Sequence, residues 1–353
     1  MDESDVRDRL RAVEDPDLGG DIVSLGLVND IEVGETVRID LALGAPYSPT
    51  ETAIAGEVRE ALSDLGREVE LSASVDRPTT EDDILPGVEN VIAVASGKGG
   101  VGKSTVAVNL AAGLADLGAE VGLFDADIYG PNVPRMVDAD EVPAATEEEE
   151  IIPPEQFGMK LMSMDFMLGE DDPVIFRGPM VHNVLTQLWE DVIWGRLDYM
   201  VVDLPPGTGD TQLSLLQSVP VSGAVIVTTP QEVALDDARK GLRMFGRHDT
   251  PVLGIVENMA GFVCPDCGNE HAIFGEGGGE RFASDVDMPF LGSIPLDPAV
   301  REGGDDGRPM VYGEGDTAEA LRDFSRRTAN MQGIVHRRRV SQTRTGAGAE
   351  PEP

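Results

Sequence analysis

The stretch Val91–Thr105, VIAVASGKGGVGKST, leaves few folds open. The apolar run from Val91 to Ala95 reads as a buried parallel strand. It breaks into Gly97, Gly99, Gly100 and Gly102, then enters an alanine-rich helix expected over Ser104–Leu117. A strand, a glycine loop and a helix, with G-x-x-x-x-G-K-[ST] running from Gly97 to Ser104, is the context of a phosphate-binding P-loop. The glycines let backbone N–H groups turn inward around phosphate oxygens, and the helix N-terminus adds its positive dipole end. On this reading Gly97–Thr105, Val101 included, cradle a nucleotide. Lys103 reaches the β- and γ-phosphates, and Ser104 is a candidate Mg²⁺ ligand. Strands and helices alternate through the rest of the core, so the expected fold class is α/β, a mostly parallel, doubly wound sheet.

The loop holds a second lysine, Lys98, which a P-loop does not require. Two lysines in one phosphate loop repel unless a polyanion lies between them or one points elsewhere. Lys98 then faces solvent or a nucleotide on a neighbouring subunit. The segment KGGVGKST resembles the deviant P-loop of the MinD/ParA/nitrogenase-iron-protein superfamily. That resemblance implies a catalytic Lys98 crossing a homodimer interface to the partner's nucleotide.

Two apolar strands end in carboxylates. In VGLFDAD (Val121–Asp127), Asp125 and Asp127 are expected at the C-terminal sheet edge, beside the nucleotide. Asp127 is the candidate that orients the attacking water. Asp125 acts through Mg²⁺ or holds the P-loop in shape, the plainer alternative for both carboxylates being caps of the turn before Tyr129-Gly130-Pro131. In VVDLPPGTGD (Val201–Asp210), Asp203 is positioned as the acidic group that reaches Mg²⁺, and Gly207 and Gly209 give a loop able to respond to the γ-phosphate. Asn258, ending the strand VENM, and Pro295 are candidate contacts to the base. Arg177, in RGPM, is a candidate contact to phosphate or partner.

The only cysteines are Cys264 and Cys267, in CPDCG. C-x-x-C supplies two ligands and leaves a tetrahedral metal half coordinated. Three readings follow: a zinc site completed by His271 and a carboxylate, a redox dithiol, or four thiolates from two subunits on a two-fold axis holding a [4Fe–4S] cluster. The extra lysine independently calls for the same dimer.

Residues 1–80 read as a separate small α-β-β-α-β unit. It comprises a helix Val6–Val13, strands Ile22–Val28 and Val37–Leu43, a helix Ser48–Leu65 and a strand Val69–Val75. Asp15 and Asp21 read as turn-shaping carboxylates. An acidic, proline-punctuated linker (81–89) is expected to lead into the nucleotide domain (90–334). Within that domain, Ala139–Gln156 reads as an exposed excursion, Leu161–Phe166 as a strand and Met180–Trp194 as a helix. The tail, 335–353, lacks apolar periodicity and is expected to be disordered.

The formal charge is −38, from 65 acidic against 27 basic residues. No basic face for nucleic acid is evident. No apolar run approaches the ~18 residues of a membrane span. The acidic, polar start MDESDVRDRL does not read as a secretory signal. The expectation is a cytoplasmic protein without nucleic-acid or membrane partners, with the acidic surface of a salt-accumulating halophile.

DADIYGPNVPRM, RGPM, DLPPGTGD and CPDC, in order after the P-loop, resemble the Mrp/ApbC family of iron–sulfur cluster carrier ATPases over about 240 residues. DPDLGGDIVSLGLVNDI resembles the small PaaD/SufT-like domain often fused ahead of it. Where that domain usually carries a cysteine, this chain has Ala45-Pro46-Tyr47-Ser48-Pro49. The resemblance implies an ATPase that binds a transient [4Fe–4S] cluster between two copies and transfers it from an assembly scaffold to apo-proteins. Its cofactors would be ATP and Mg²⁺. A MinD/ParA-like positioning ATPase and a nitrogenase-iron-protein-like reductase remain alternatives.

Overall fold

The computed structural model describes residues 2–74, 84–127, 130–139, 141–167, 186, 188–264, 267 and 269–346. Residues 180–185 and 187 of the Met180–Trp194 segment and all of RGPM lie outside these residues. The chain divides into two units, Met1–Thr80 with Ala329–Pro353, and Glu81–Thr328.

In the first unit the helix Glu3–Leu10 opens on a reciprocal cap, in which the Asp2 and Asp5 carboxylates each accept the other's backbone N–H. It buries Val6 and Leu10. Short strands β1 (Glu14–Asp15) and β2 (Gly20–Asp21) form a hairpin. A three-stranded sheet follows, β3 (Val28–Val33) antiparallel to β4 (Thr36–Leu41), and β4 parallel to β5 (Glu68–Ala73). The helix Pro49–Ala61, capped by Ser48, buries Ile54 and Val58 against the same core. The strand expected at Ile22–Val28 is instead a turn, and the strand lies at Val28–Val33. The Asp21 carboxylate accepts the N–H groups of Val23 and Ser24, and Gly26 adopts φ +72°, which closes the turn. Ile22 and Leu27 still enter the core, so their apolar character was a poor guide to strand.

The tail expected to be disordered is helical where it is described: residues 335–345 end a helix continuous over Asp316–Thr345, and 347–353 lie outside the described residues. The residues of that helix from Ala329 on belong to the first unit. Periodicity misses it because its most buried long side chain is charged. Arg337 is fully buried among Asp15, Asp17 and Glu51.

The second unit contains an eight-stranded sheet. Its strands are β6 (Val88–Ser96), β7 (Val121–Asp125), β10 (Glu155–Gln156), β11 (Met159–Ser163), β12 (Leu197–Asp203), β13 (Gly223–Thr228), β14 (Val252–Asn258) and β17 (Phe290–Ile294), ordered β10-β11-β7-β12-β6-β13-β14-β17. Every pairing is parallel except that of β10 with β11. β6 already begins at Val88, so the linker is shorter than 81–89. Small antiparallel pairs add β8 (Ala144–Ala145) with β9 (Ile151–Ile152), and β15 (Phe262–Val263) with β16 (Glu270–His271). The first lies in the expected excursion. The strand expected to reach Phe166 stops at Ser163, and Met164–Met167 turns as a 3-10 helix. Val192 bridges Ile151 and Ile193 is 39% exposed, so the end of the expected Met180–Trp194 helix is extended, not helical.

Register decides what meets at the sheet's C-terminal edge. Ser163 pairs with Asp125, Asp125 with Asp203, and Asp203 with Val94 of the P-loop strand. Parallel strands that end in register thus deliver a serine and two carboxylates to one rim.

Candidate functional site

The P-loop links β6 to the helix Lys103–Asp116. Glycine is dictated at specific points. A Cβ on Gly97 would lie 2.2 Å from the Asp237 carbonyl carbon, and Gly100 and Gly102 both adopt φ +80°. A Cβ on Gly102 would fall 2.2 Å from Asn258 Nδ2, which donates to the Val101 carbonyl at 2.8 Å. Asn258 therefore buttresses the loop as well as facing the cavity.

Lys103 is buried and forms an ion pair with Asp203 Oδ1; its Nζ lies 3.5 Å from Ser104 Oγ. Asp203 is wholly buried, and burial pushes its pKa up against the pull of Lys103. Its Oδ2 has no hydrogen-bond partner among the described residues. A buried, orphaned carboxylate oxygen beside a hydroxyl at the head of the P-loop helix suits a divalent cation held by Ser104 and Asp203.

Asp125 is also fully buried. Burial, and then the negative charge of Asp203, raise its pKa to about 7. Its Oδ1 accepts the Asp127 N–H at 3.0 Å, and its Oδ2 accepts those of Asn132 (3.1 Å) and Val133 (3.2 Å). It shapes the segment after β7 rather than the P-loop, as a cap of the turn there would. Asp127 is half-buried at the start of that segment.

These groups surround a cavity of about 550 Å³. Lys98, Gly99, Gly100, Gly102, Lys103, Ser104 and Thr105 line it from the loop, Asp127 and Asn132 from the β7 side, and Asn258 and Pro295 from the opposite side. Gly97 and Val101 act through packing and the Asn258 bond rather than as lining. Lys98 is half-buried and makes no ion pair among the described residues. Met136, Leu296 and Val300 add an apolar flank that the sequence reading missed, because no local motif marks it.

The cysteines lie in the loop of the β15–β16 hairpin, whose first strand begins four residues after Asn258, the end of β14. The Cys264 N–H bonds the Asn269 carbonyl at 2.9 Å. Cys264 is half-exposed, Cys267 is exposed, and no disulfide joins them. His271 pairs in register with Phe262 and is exposed. Among the described residues no group of three or more His, Cys, Asp or Glu side chains is placed to hold a metal. The hairpin setting is not the helix N-terminus that lowers thiol pKa in redox motifs. Glu257, fully buried and unremarked in the sequence reading, accepts the N–H groups of Gly277 and Gly279 and fixes the chain beyond the hairpin.

A parallel sheet with a P-loop after the central β6, an acidic rim and a cavity spanning both defines a P-loop nucleotide-binding protein of the MinD/ParA architecture. Residues 87–330 match the NUBPL iron-transfer P-loop NTPase family, and residues 3–75 match an iron–sulfur cluster assembly protein family. The iron–sulfur cluster carrier protein of Synechocystis is 46% identical over 323 residues, covering 88% of this chain and 92% of that one. Among solved structures, a nucleotide-binding protein of Archaeoglobus fulgidus in complex with ADP is 39% identical (TM-score 0.60; 68% of this chain, 96% of that one). The cell division ATPase MinD of Pyrococcus furiosus shares the fold at 24% identity (TM-score 0.51; 67% and 97%). The chain belongs to the family of NUBPL iron-transfer P-loop NTPases. No described helix is long and apolar enough to cross a membrane.

Proposed function

We propose that this protein carries an iron–sulfur cluster to acceptor proteins that lack one, under control of ATP. The carrying observation is the link between cavity and thiols. Asn258 lines the cavity and ends β14, and the cysteine hairpin begins at Phe262. Between them the Ala260 N–H bonds the Ile294 carbonyl at 3.0 Å, and the Leu296 N–H bonds the Gly261 carbonyl at 2.9 Å. One short turn therefore joins the base side of the nucleotide site to the thiol pair, so a change in one biases the other.

The cluster is cargo, a [4Fe–4S] unit shared by Cys264 and Cys267 of two copies. Lys98, lining the cavity without an ion pair among the described residues, supports a nucleotide close to the two-fold axis. Ser104 and Asp203 would hold Mg²⁺, which supplies charge neutralisation at the phosphates when bound. Lys103 contacts the β- and γ-phosphates. Asp127 orients a water whose oxygen bonds the γ-phosphorus as the bond to ADP breaks; its proton ends on the released phosphate.

The test is anaerobic reconstitution with iron and sulfide, followed by transfer to an apo-acceptor. Wild type is expected to hold one [4Fe–4S] cluster per two chains and to lose it to the acceptor, whereas Cys264→Ala holds none. Equal iron in the Cys264→Ala protein removes the carrier reading. ATP-dependent reduction of an acceptor with the cluster retained would replace it with a reductase.

A further inference from the structure

Ser163 closes β11 and is fully buried, in register with Asp125 on β7. Its hydroxyl oxygen accepts the Asp165 N–H at 3.2 Å and lies 3.2 Å from Asp125 Oδ2. The Asp165 amide can only donate, so the hydroxyl proton is left for the carboxylate. The same Oδ2 receives the Asn132 and Val133 N–H groups, and Oδ1 receives that of Asp127. A carboxylate holding three backbone amides of one loop sets that loop's path, and the carboxylate's own rotation is set by whatever else binds it. Ser163 is the one side-chain donor among these partners, and it comes from a different strand. Asp127 and Asn132, both held by Asp125, line the nucleotide cavity.

We propose that Ser163 is a positioning residue for nucleotide hydrolysis, fixing the Asp125 carboxylate and, through it, Asp127 and the Asn132 backbone against the phosphates. This rests on the reading that Asp127 orients the attacking water. Ser163 does not line the cavity, and its hydrogen bonds go to Asp125 and Asp165, so it acts on the rate rather than on nucleotide capture.

The experiment compares wild type, Ser163→Ala and Ser163→Thr for ATP turnover, for the Kd of a non-hydrolysable ATP analogue, and for hydrogen exchange of the Asn132 and Val133 amides. Ser163→Ala is expected to lower kcat by about 10- to 100-fold, the scale of a misplaced reacting group. Analogue Kd should stay within about threefold, and the two amides should exchange faster while β7 amides do not. Ser163→Thr, which keeps the hydroxyl, should restore slow exchange. Unchanged exchange in Ser163→Ala overturns the proposal, as does a loss of affinity that matches the loss of rate. Asp127→Asn separates the two ideas: if it hydrolyses ATP at the wild-type rate, the role of Asp127 fails, and the exchange measurement still decides whether Ser163 holds the loop.

Discussion

Arg337 Nε and Asp15 Oδ2 lie 2.7 Å apart, with both side chains removed from solvent. The same guanidinium reaches Glu51 Oε1 at 2.8 Å and Asp17 Oδ2 at 2.7 Å. Glu51 in turn accepts the Ala45 N–H at 2.8 Å, and the Ser48 hydroxyl beside it lies 3.1 Å from Asn330 Oδ1. The C-terminal residues thus complete the core of the small unit through charge. Removing one member of a buried ion cluster leaves uncompensated charge and costs about 3–5 kcal/mol. Arg337→Met is therefore expected to destabilise the small unit by that amount. Urea unfolding followed by proteolytic cleavage within residues 2–74 measures it, and a loss below about 1 kcal/mol would falsify the clasp.

His336, beside that arginine, gives the unit a pH dependence. Burial, then the positive charges of Arg337, Arg339 and Arg344, depress its pKa to about 4. The unfolded chain takes up this proton near pH 6.5 and the folded chain near 4. Between those values the unfolded state binds more protons, so stability falls as pH falls. The full effect, lost below pH 4, is at most about 3 kcal/mol. Carboxylates titrate in the same range, so the measurement is the difference between wild type and His336→Leu in urea midpoint from pH 7 to 4.5. A flat difference removes the assignment.

Gly97 and Gly246 test the packing of one helix, Glu232–Arg247. A methyl on Gly97 meets the Asp237 backbone, whereas one on Gly246 meets nothing within 4 Å. Overpacking costs about 1–3 kcal/mol, so Gly97→Ala is expected to weaken ATP binding about tenfold or more. Gly246→Ala should raise stability by about 0.5–1 kcal/mol through the usual helix preference for alanine. Calorimetric titration and thermal melts check both.

The placement of the P-loop, Asp127 and Asp203 at one sheet edge was legible because its signals are local: glycines before a lysine, and carboxylates ending apolar strands. Ser163 carried no such signal, because its role comes from register with a strand 38 residues away. Arg337 is 322 residues from Asp15, so its burial reads from sequence as an exposed basic run. Within residues 2–74 the two helices and strands β4 and β5 were legible but β3 was not. Ile22 and Leu27 are buried from a turn, and a buried turn leaves the same apolar trace as a strand.

Asn258 joins the P-loop to the end of β14, four residues before the cysteine hairpin begins at Phe262. Its amide nitrogen donates to the Val101 carbonyl, and the residue is only 7% exposed. No other hydrogen bond to the Val101 carbonyl is present among the described residues. Asn258→Ala leaves that acceptor unmatched at a cost of about 1–3 kcal/mol, and ADP affinity should drop about 10- to 100-fold. Asn258→Asp sets a carboxylate against a carbonyl oxygen, so it should bind ADP more weakly still. In reconstituted protein, a nucleotide-induced change in the visible absorbance of the cluster should vanish in both variants while iron content is kept. Wild-type ADP affinity in Asn258→Asp would show that the Val101 bond does not hold the loop, and a nucleotide response surviving in Asn258→Ala would place the coupling elsewhere than this turn.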